Sequence, residues 1–132
     1  MASHKVIVVD DERHITKILA FRLKQLGLEV LTAFNGKEAL DLIRAERPSL
    51  VVSDYQMPLM SGLELAVALA QEEATAETPV IMLTARSHRL SHSEMVSTNI
   101  RTLLDKPLSG SELDAAVRET LGLEEGSAAA AA

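Results

Sequence analysis

The chain has 132 residues, the size of one domain, and its 19 acidic and 13 basic residues leave a formal net charge of −6. That balance argues against a general attraction to nucleic-acid phosphate, and Phe21, Phe34 and Tyr55, the only aromatics, are too few for the stacking platforms of single-strand binders. Cysteine is absent, which removes disulfide frameworks and thiolate metal sites; the opening apolar run is too short for a signal or membrane segment, so a cytoplasmic protein without a membrane contact is expected.

Val6-Ile7-Val8-Val9 is a β-branched run too compact for a helix and reads as a strand buried on both faces. Ile15, Ile18, Leu19, Leu23 and Leu26 then follow helical spacing, with Arg22 the one polar residue in that register, and Gly27 supplies a stop. Glu29 to Ala33 predicts a second strand, Asn35-Gly36 a turn, and Ala39, Leu40, Leu42 and Ile43 a helix ending before Pro48. Leu50-Val51-Val52-Ser53 repeats the buried-strand pattern and ends at Asp54; a loop with Pro58 and Gly62 leads to a third helical face at Leu63, Leu65, Ala66, Leu69 and Ala70. Pro79 to Leu83 is a fourth strand ending at Thr84, the polar stretch 87–98 a fourth helix, and Thr102-Leu103-Leu104 a short fifth strand. Ser109 and Glu112 have capping-box spacing ahead of a last helix through Leu113, Ala116, Val117 and Leu121. Five strands alternating with five helices predict a three-layer α/β domain, a doubly wound parallel sheet, over residues 1–121. Residues 122–132, acidic and then alanine only, read as a disordered tail, a linker or an expression remnant.

In open α/β sheets the functional crevice lies beyond the carboxyl ends of the strands, where strand order reverses. Asp10 and Asp11 end the first strand, Asp54 the third, Thr84 the fourth, and Lys106 follows the fifth. Three carboxylates in one crevice repel, and a hard divalent cation such as Mg²⁺, or Mn²⁺, relieves them through oxygen ligands. Asp11 and Asp54 suit direct ligation, and Asp10 contact through a water. With the metal and Lys106 neutralising its charge, Asp54 suits nucleophilic attack on a phosphoryl group, and Thr84 donation to a phosphoryl oxygen.

These residues resemble a two-component response-regulator receiver domain. The resemblance rests on Val8-Val9-Asp10-Asp11-Glu12, Ala33-Phe34-Asn35-Gly36-Lys37-Glu38-Ala39-Leu40, Asp54-Tyr55-Gln56-Met57-Pro58, Ser61-Gly62-Leu63-Glu64-Leu65, Leu83-Thr84-Ala85 and Lys106-Pro107-Leu108, and spans residues 5–121. It implies a flavodoxin-like sheet of strand order 2-1-3-4-5 and phosphorylation at Asp54. It also implies metal ligation by Asp11, Asp54 and the Gln56 backbone carbonyl, contact of Thr84 and Lys106 with the phosphoryl group, and a cis Lys106-Pro107 bond. The implied donor is a histidine kinase or histidine phosphotransfer protein. The implied output runs through the face of the fourth helix, fifth strand and fifth helix to an unknown domain or protein, from a monomer or weak dimer with no direct nucleic-acid contact.

Two departures stand out. Receivers usually carry Tyr or Phe three residues before the lysine, where this chain has Leu103, and the usual Gly-Ala-Asp stretch leading into the fifth strand is absent, the segment reading Thr98-Asn99-Ile100-Arg101. Gln56 and Arg86, each two residues beyond a site residue, are candidates for modulating water attack on the acyl phosphate, with solvent exposure as the plain alternative. His88 and His92 lack the glutamate of a zinc-protease motif and read as surface histidines. A phosphohydrolase would need a second acid where Gln56 stands, so only self-phosphorylation and slow self-dephosphorylation are expected, without turnover of external substrates. A dinucleotide enzyme is excluded because Asp10-Asp11-Glu12 replaces the glycine-rich cradle. The remaining rival is a receiver-like interaction module that works without phosphorylation.

Overall fold

The chain is described here in a computed structural model, over residues 4–85, 90–106 and 109–123. In chain order the elements are β1 (Lys5–Val9), α1 (Arg13–Gln25), β2 (Glu29–Ala33), α2 (Gly36–Glu46), β3 (Leu50–Asp54), α3 (Gly62–Gln71), β4 (Val80–Ala85), α4 (His92–Val96), β5 (Ile100–Lys106) and α5 (Gly110–Leu121). The five strands are all parallel, in the order β2-β1-β3-β4-β5. The first connection therefore runs outward to β2, and the next returns past β1 to β3. Strand order reverses between β1 and β3, and the acidic residues stand at that point.

Side-chain alternation divides the core into two layers. Val6, Val8, Leu50, Val52, Ile81 and Leu83 face α1 and α5, meeting Leu19, Leu23, Leu113 and Val117. Ile7, Val9, Val51, Val80 and Met82 face the other way, onto Ala39, Leu40 and Ile43 of α2 and Leu65, Ala66 and Leu69 of α3. Every residue of β3 is buried, which is why Leu50-Val51-Val52 reads as a continuous apolar run rather than an alternating one. Among the described residues no helix is long and apolar enough to cross a membrane.

The structure differs from the sequence reading in three places, each with a local cause. Asn35-Gly36 is a helix start: Asn35 Oδ1 accepts the Glu38 N–H at 2.8 Å, while the Glu38 carboxylate accepts the Phe34 N–H at 2.6 Å. The fourth helix is five residues long, without a buried side chain, against an expected 87–98, of which 87–89 fall outside the described residues. A Ser91/Glu94 capping box starts it, and beyond its end the Thr98 hydroxyl donates to the Glu94 carbonyl at 2.8 Å, a side-chain bond that competes with further helix. β5 extends beyond Thr102–Leu104 in both directions, from Ile100 to Lys106, because exposed Arg101 and Asp105 break up the apolar signal of an edge strand. The described residues continue through the end of α5 to Leu123. Gly122 takes a left-handed conformation (φ 71°), its N–H bonding to the Glu119 carbonyl, and the Leu123 N–H bonds to that of Arg118 at 2.8 Å. This is a Schellman motif, and it packs Leu123 onto the α1/α5 layer.

Candidate functional site

Strand register assembles the site. Val9 pairs with Ser53, so Asp10 and Asp54 leave neighbouring strands side by side. Asp54 pairs with Leu83, Thr84 with Asp105 and Ala85 with Lys106, which brings the end of β5 to the same edge. The Lys106 Nζ lies 2.7 Å from Asp54 Oδ1 and 3.5 Å from Asp10 Oδ2. Carboxylate oxygens of Asp10, Asp11 and Asp54 all fall within 4.8 Å of one another.

The three acids are not equivalent. Asp10 is fully buried and its Oδ1 accepts the Glu12 N–H at 2.9 Å, whereas Asp11 is exposed and Asp54 is 7% exposed. Asp11 and Asp54 form the wall of an open crevice of about 620 Å³, together with Glu12, Tyr55, Gln56, Met57, Pro58, Ser61 and Lys106. Thr84 is buried and, like Asp10, contributes no lining surface. Burial pushes the Asp54 carboxyl above its ordinary value; Lys106 opposes this by its hydrogen bond and charge, and Asp10 and Asp11 reinforce it. Burial also works against the Lys106 ammonium, but its hydrogen bond to Asp54 and the charges of Asp54 and Asp10 outweigh that and raise it. The contact thus outweighs burial at the lysine but not at the carboxylate, where burial is the largest effect and the charges of Asp10 and Asp11 add to it.

The donor set suits a hard cation: carboxylate oxygens with an open approach and, among the described residues, no imidazole or thiolate. The β3–α3 loop completes the wall. The Tyr55 N–H bonds to the Leu83 carbonyl and the Gly62 N–H to the Tyr55 carbonyl, each at 2.8 Å. Between them the Met60 N–H reaches the Pro58 carbonyl at 2.8 Å across Leu59, whose φ of 71° marks a γ-turn of the rare, strained kind. Gly62 is required because a Cβ there would stand 2.3 Å from the Asp54 carbonyl oxygen and 2.7 Å from Met82 Sδ.

Of the residues singled out in the sequence, Asp10, Asp11, Asp54 and Lys106 come together, and Gln56 is exposed on the crevice wall. Leu103 is half-buried against the layer that includes α2 and α3. Arg86 and the Lys106-Pro107 peptide lie outside the described residues. Sequence reasoning assigned no role to Glu12 and Ser61, which also line the crevice. Glu12 was visible as a third acid after β1. Ser61 was visible through its capping-box spacing to Glu64, which the structure forms.

A family model described as the response regulator receiver domain matches residues 6–118. Among curated proteins, the probable transcriptional regulator ycf27 of Porphyra purpurea is 41% identical over 117 residues, 89% of this chain and 47% of that protein. The ycf27 regulator of Cyanophora paradoxa is 38% identical over 117 residues, 89% of this chain and 48% of its own length. The chain thus spans about half the length of the curated relatives it matches. Among solved structures, chemotaxis protein CheY4 of Vibrio cholerae superposes with a TM-score of 0.83 at 31% identity, over 91% of this chain and 100% of that one. Response regulator TrrA of Thermotoga maritima, solved in complex with Mg²⁺–BeF, gives 0.80 at 33% identity, over 89% of this chain and 99% of its own.

Proposed function

The chain belongs to the response regulator receiver domain family of two-component systems, and from that premise we propose that Asp54 takes a phosphoryl group from a phosphohistidine. The observation that carries this is the Lys106 ammonium 2.7 Å from the Asp54 carboxylate, inside a cluster of three acids at the strand-order reversal. The donor is a histidine kinase or histidine phosphotransfer protein. An Asp54 oxygen attacks phosphorus, the phosphorus–nitrogen bond breaks, and the imidazole leaves. Asp11, Asp54 and the Gln56 carbonyl would hold Mg²⁺, or Mn²⁺ in its place, with Asp10 contributing through a water. When bound, the cation supplies charge neutralisation between the carboxylates and the incoming phosphoryl group. Lys106 follows the developing charge from Asp54 to the phosphoryl oxygens, and the Thr84 hydroxyl donates to one of them.

No second acid stands two residues beyond Asp54; Gln56 occupies that position, so the acyl phosphate is hydrolysed slowly and only in place. Phosphorylation is read out through α4, β5 and α5 to a further domain or protein, in the cytoplasm and without direct nucleic-acid contact by this domain. A phosphorylation-independent module is not favoured, because three clustered carboxylates with a paired lysine are costly to keep without a ligand. The test is beryllofluoride with Mg²⁺, a phosphoryl mimic, followed by thermal melting. The wild type should be stabilised and Asp54→Asn should not. Equal stabilisation of the two would remove Asp54 from the role, and none in either would favour the interaction module.

A further inference from the structure

Asn35-Gly36 reads as a turn in sequence, yet Gly36 is the first residue of α2 and has no left-handed backbone to demand glycine. The demand comes from a neighbour. A Cβ on Gly36 would stand 2.5 Å from the Met60 carbonyl oxygen, 2.7 Å from Met60 Cβ and 2.9 Å from its Cγ. Met60 belongs to the loop that lines the acidic crevice, four residues after Gln56. We propose that Gly36 is a positioning residue for the cation site. By lacking a side chain it lets Met60 seat on the start of α2, and that seat fixes the β3–α3 loop and the Gln56 carbonyl at the crevice. The inference rests on the reading of the crevice as a Mg²⁺ site with the Gln56 carbonyl as a ligand.

The direction of yielding follows from what is anchored. α2 is held by buried Ala39, Leu40 and Ile43 and by its Asn35 cap. β3 is paired on both sides, so Asp54 is held as well. The middle of the loop is bound least: Gln56, Pro58 and Leu59 are exposed, and the turn closes on itself between Pro58 and Met60. A methyl group at Gly36 therefore pushes Met60 and moves the loop, leaving Asp54 and Lys106 in place. The signature is a weaker hold on Mg²⁺ with the chemistry of bound Mg²⁺ preserved.

Tyr55, the only tyrosine in a chain without tryptophan, lines the crevice and is the natural fluorescence probe for cation binding, with calorimetry as the second readout. Mg²⁺ would be titrated against that signal and, separately, against the rate of labelling by acetyl phosphate. Gly36→Ala should raise the Mg²⁺ midpoint about tenfold, the scale expected for loss of support behind a ligand, while labelling at saturating Mg²⁺ stays within about twofold of wild type. Met60→Gly removes the seat from the loop side without touching α2, and should shift the midpoint the same way. Wild-type midpoints in both variants, or a fall in the saturated rate at an unchanged midpoint, would overturn the role of Gly36. Failure of the underlying reading looks different, since the wild type would then bind no Mg²⁺ by fluorescence or calorimetry.

Discussion

Removing one charge from the acidic cluster should stabilise the metal-free protein. With carboxylate oxygens within 4.8 Å, each pair of charges repels by about 0.9 kcal/mol in water and about 3.5 kcal/mol at an effective dielectric constant of 20. Asp11 is exposed, which places its share near the lower figure, and Lys106 offsets part of it. Asp11→Asn should therefore gain on the order of 1 kcal/mol, or about 3–5 °C in Tm for a domain of this size. The pH dependence has a definite sign. Asp54 has a raised pKa, so the folded chain holds its proton longer than the unfolded one, and stability falls as pH rises through that window. The gain from Asp11→Asn is accordingly full at pH 8 and shrinks at acid pH, as Asp54, with its raised pKa, takes up a proton and no longer repels Asp11. Thermal melts in EDTA at pH 8 and at acid pH measure it. Saturating Mg²⁺ should reverse the order, because the wild type alone gains the full binding free energy. A lower Tm for Asp11→Asn in EDTA at pH 8 would show Asp11 holding structure rather than repelling its neighbours.

Gly62→Ala forces a methyl group against the carbonyl oxygen of Asp54, on a strand that cannot retreat, and should cost about 1–3 kcal/mol, an overpacking penalty, by denaturant unfolding. Wild-type stability would mean that α3 shifts freely. Leu59→Gly relieves a left-handed leucine that is 81% exposed, and should leave stability unchanged or raise it by about 1 kcal/mol; a loss of that size would reveal a packing role. At Leu103, half-buried on the face that also holds Met95 of α4, no ring is present to reorient when the site is filled. One charged hydrogen bond supplies about 1.5–3 kcal/mol, short of the roughly 5.5 kcal/mol of a complete population shift, so the distal response should be partial. Amide NMR with beryllofluoride and Mg²⁺ should show large changes near Asp54 and small ones in α5, enlarged by Leu103→Tyr; wild-type changes in α5 as large as those at the site would contradict this.

The layers were legible because the central strands are buried on both faces, as the apolar runs Val6 to Val9 and Leu50 to Val52 announce, whereas the strand order came from the resemblance to receiver domains. The site was legible because its acids stand directly after those strands. Much of what escaped depends on contacts between segments far apart in sequence. Asn35 and Glu38 do have the spacing of a helix cap, a local signal hidden behind the Asn-Gly pair; what demands glycine at position 36 is Met60, far away in sequence. The length of α4 turns on which of several serines and threonines caps it and which ends it, and hydroxyls suit both tasks. Arg22 looked out of place on an apolar helix face until α5 supplied Asp114, with bonds of 3.0 and 3.1 Å, and Gly110 left room for its guanidinium.

The central claim is that Asp54 is the residue that carries the phosphoryl group. Acetyl phosphate and Mg²⁺ would be added, the acyl phosphate reduced with borohydride, and the digested chain mapped by mass spectrometry. A carboxylate phosphate is converted to homoserine by this treatment, so the modified residue identifies itself. The account predicts homoserine at position 54 alone, absent in Asp54→Asn and without added Mg²⁺. Homoserine at position 10 or 11, or a phosphoryl adduct undiminished in Asp54→Asn, would contradict it.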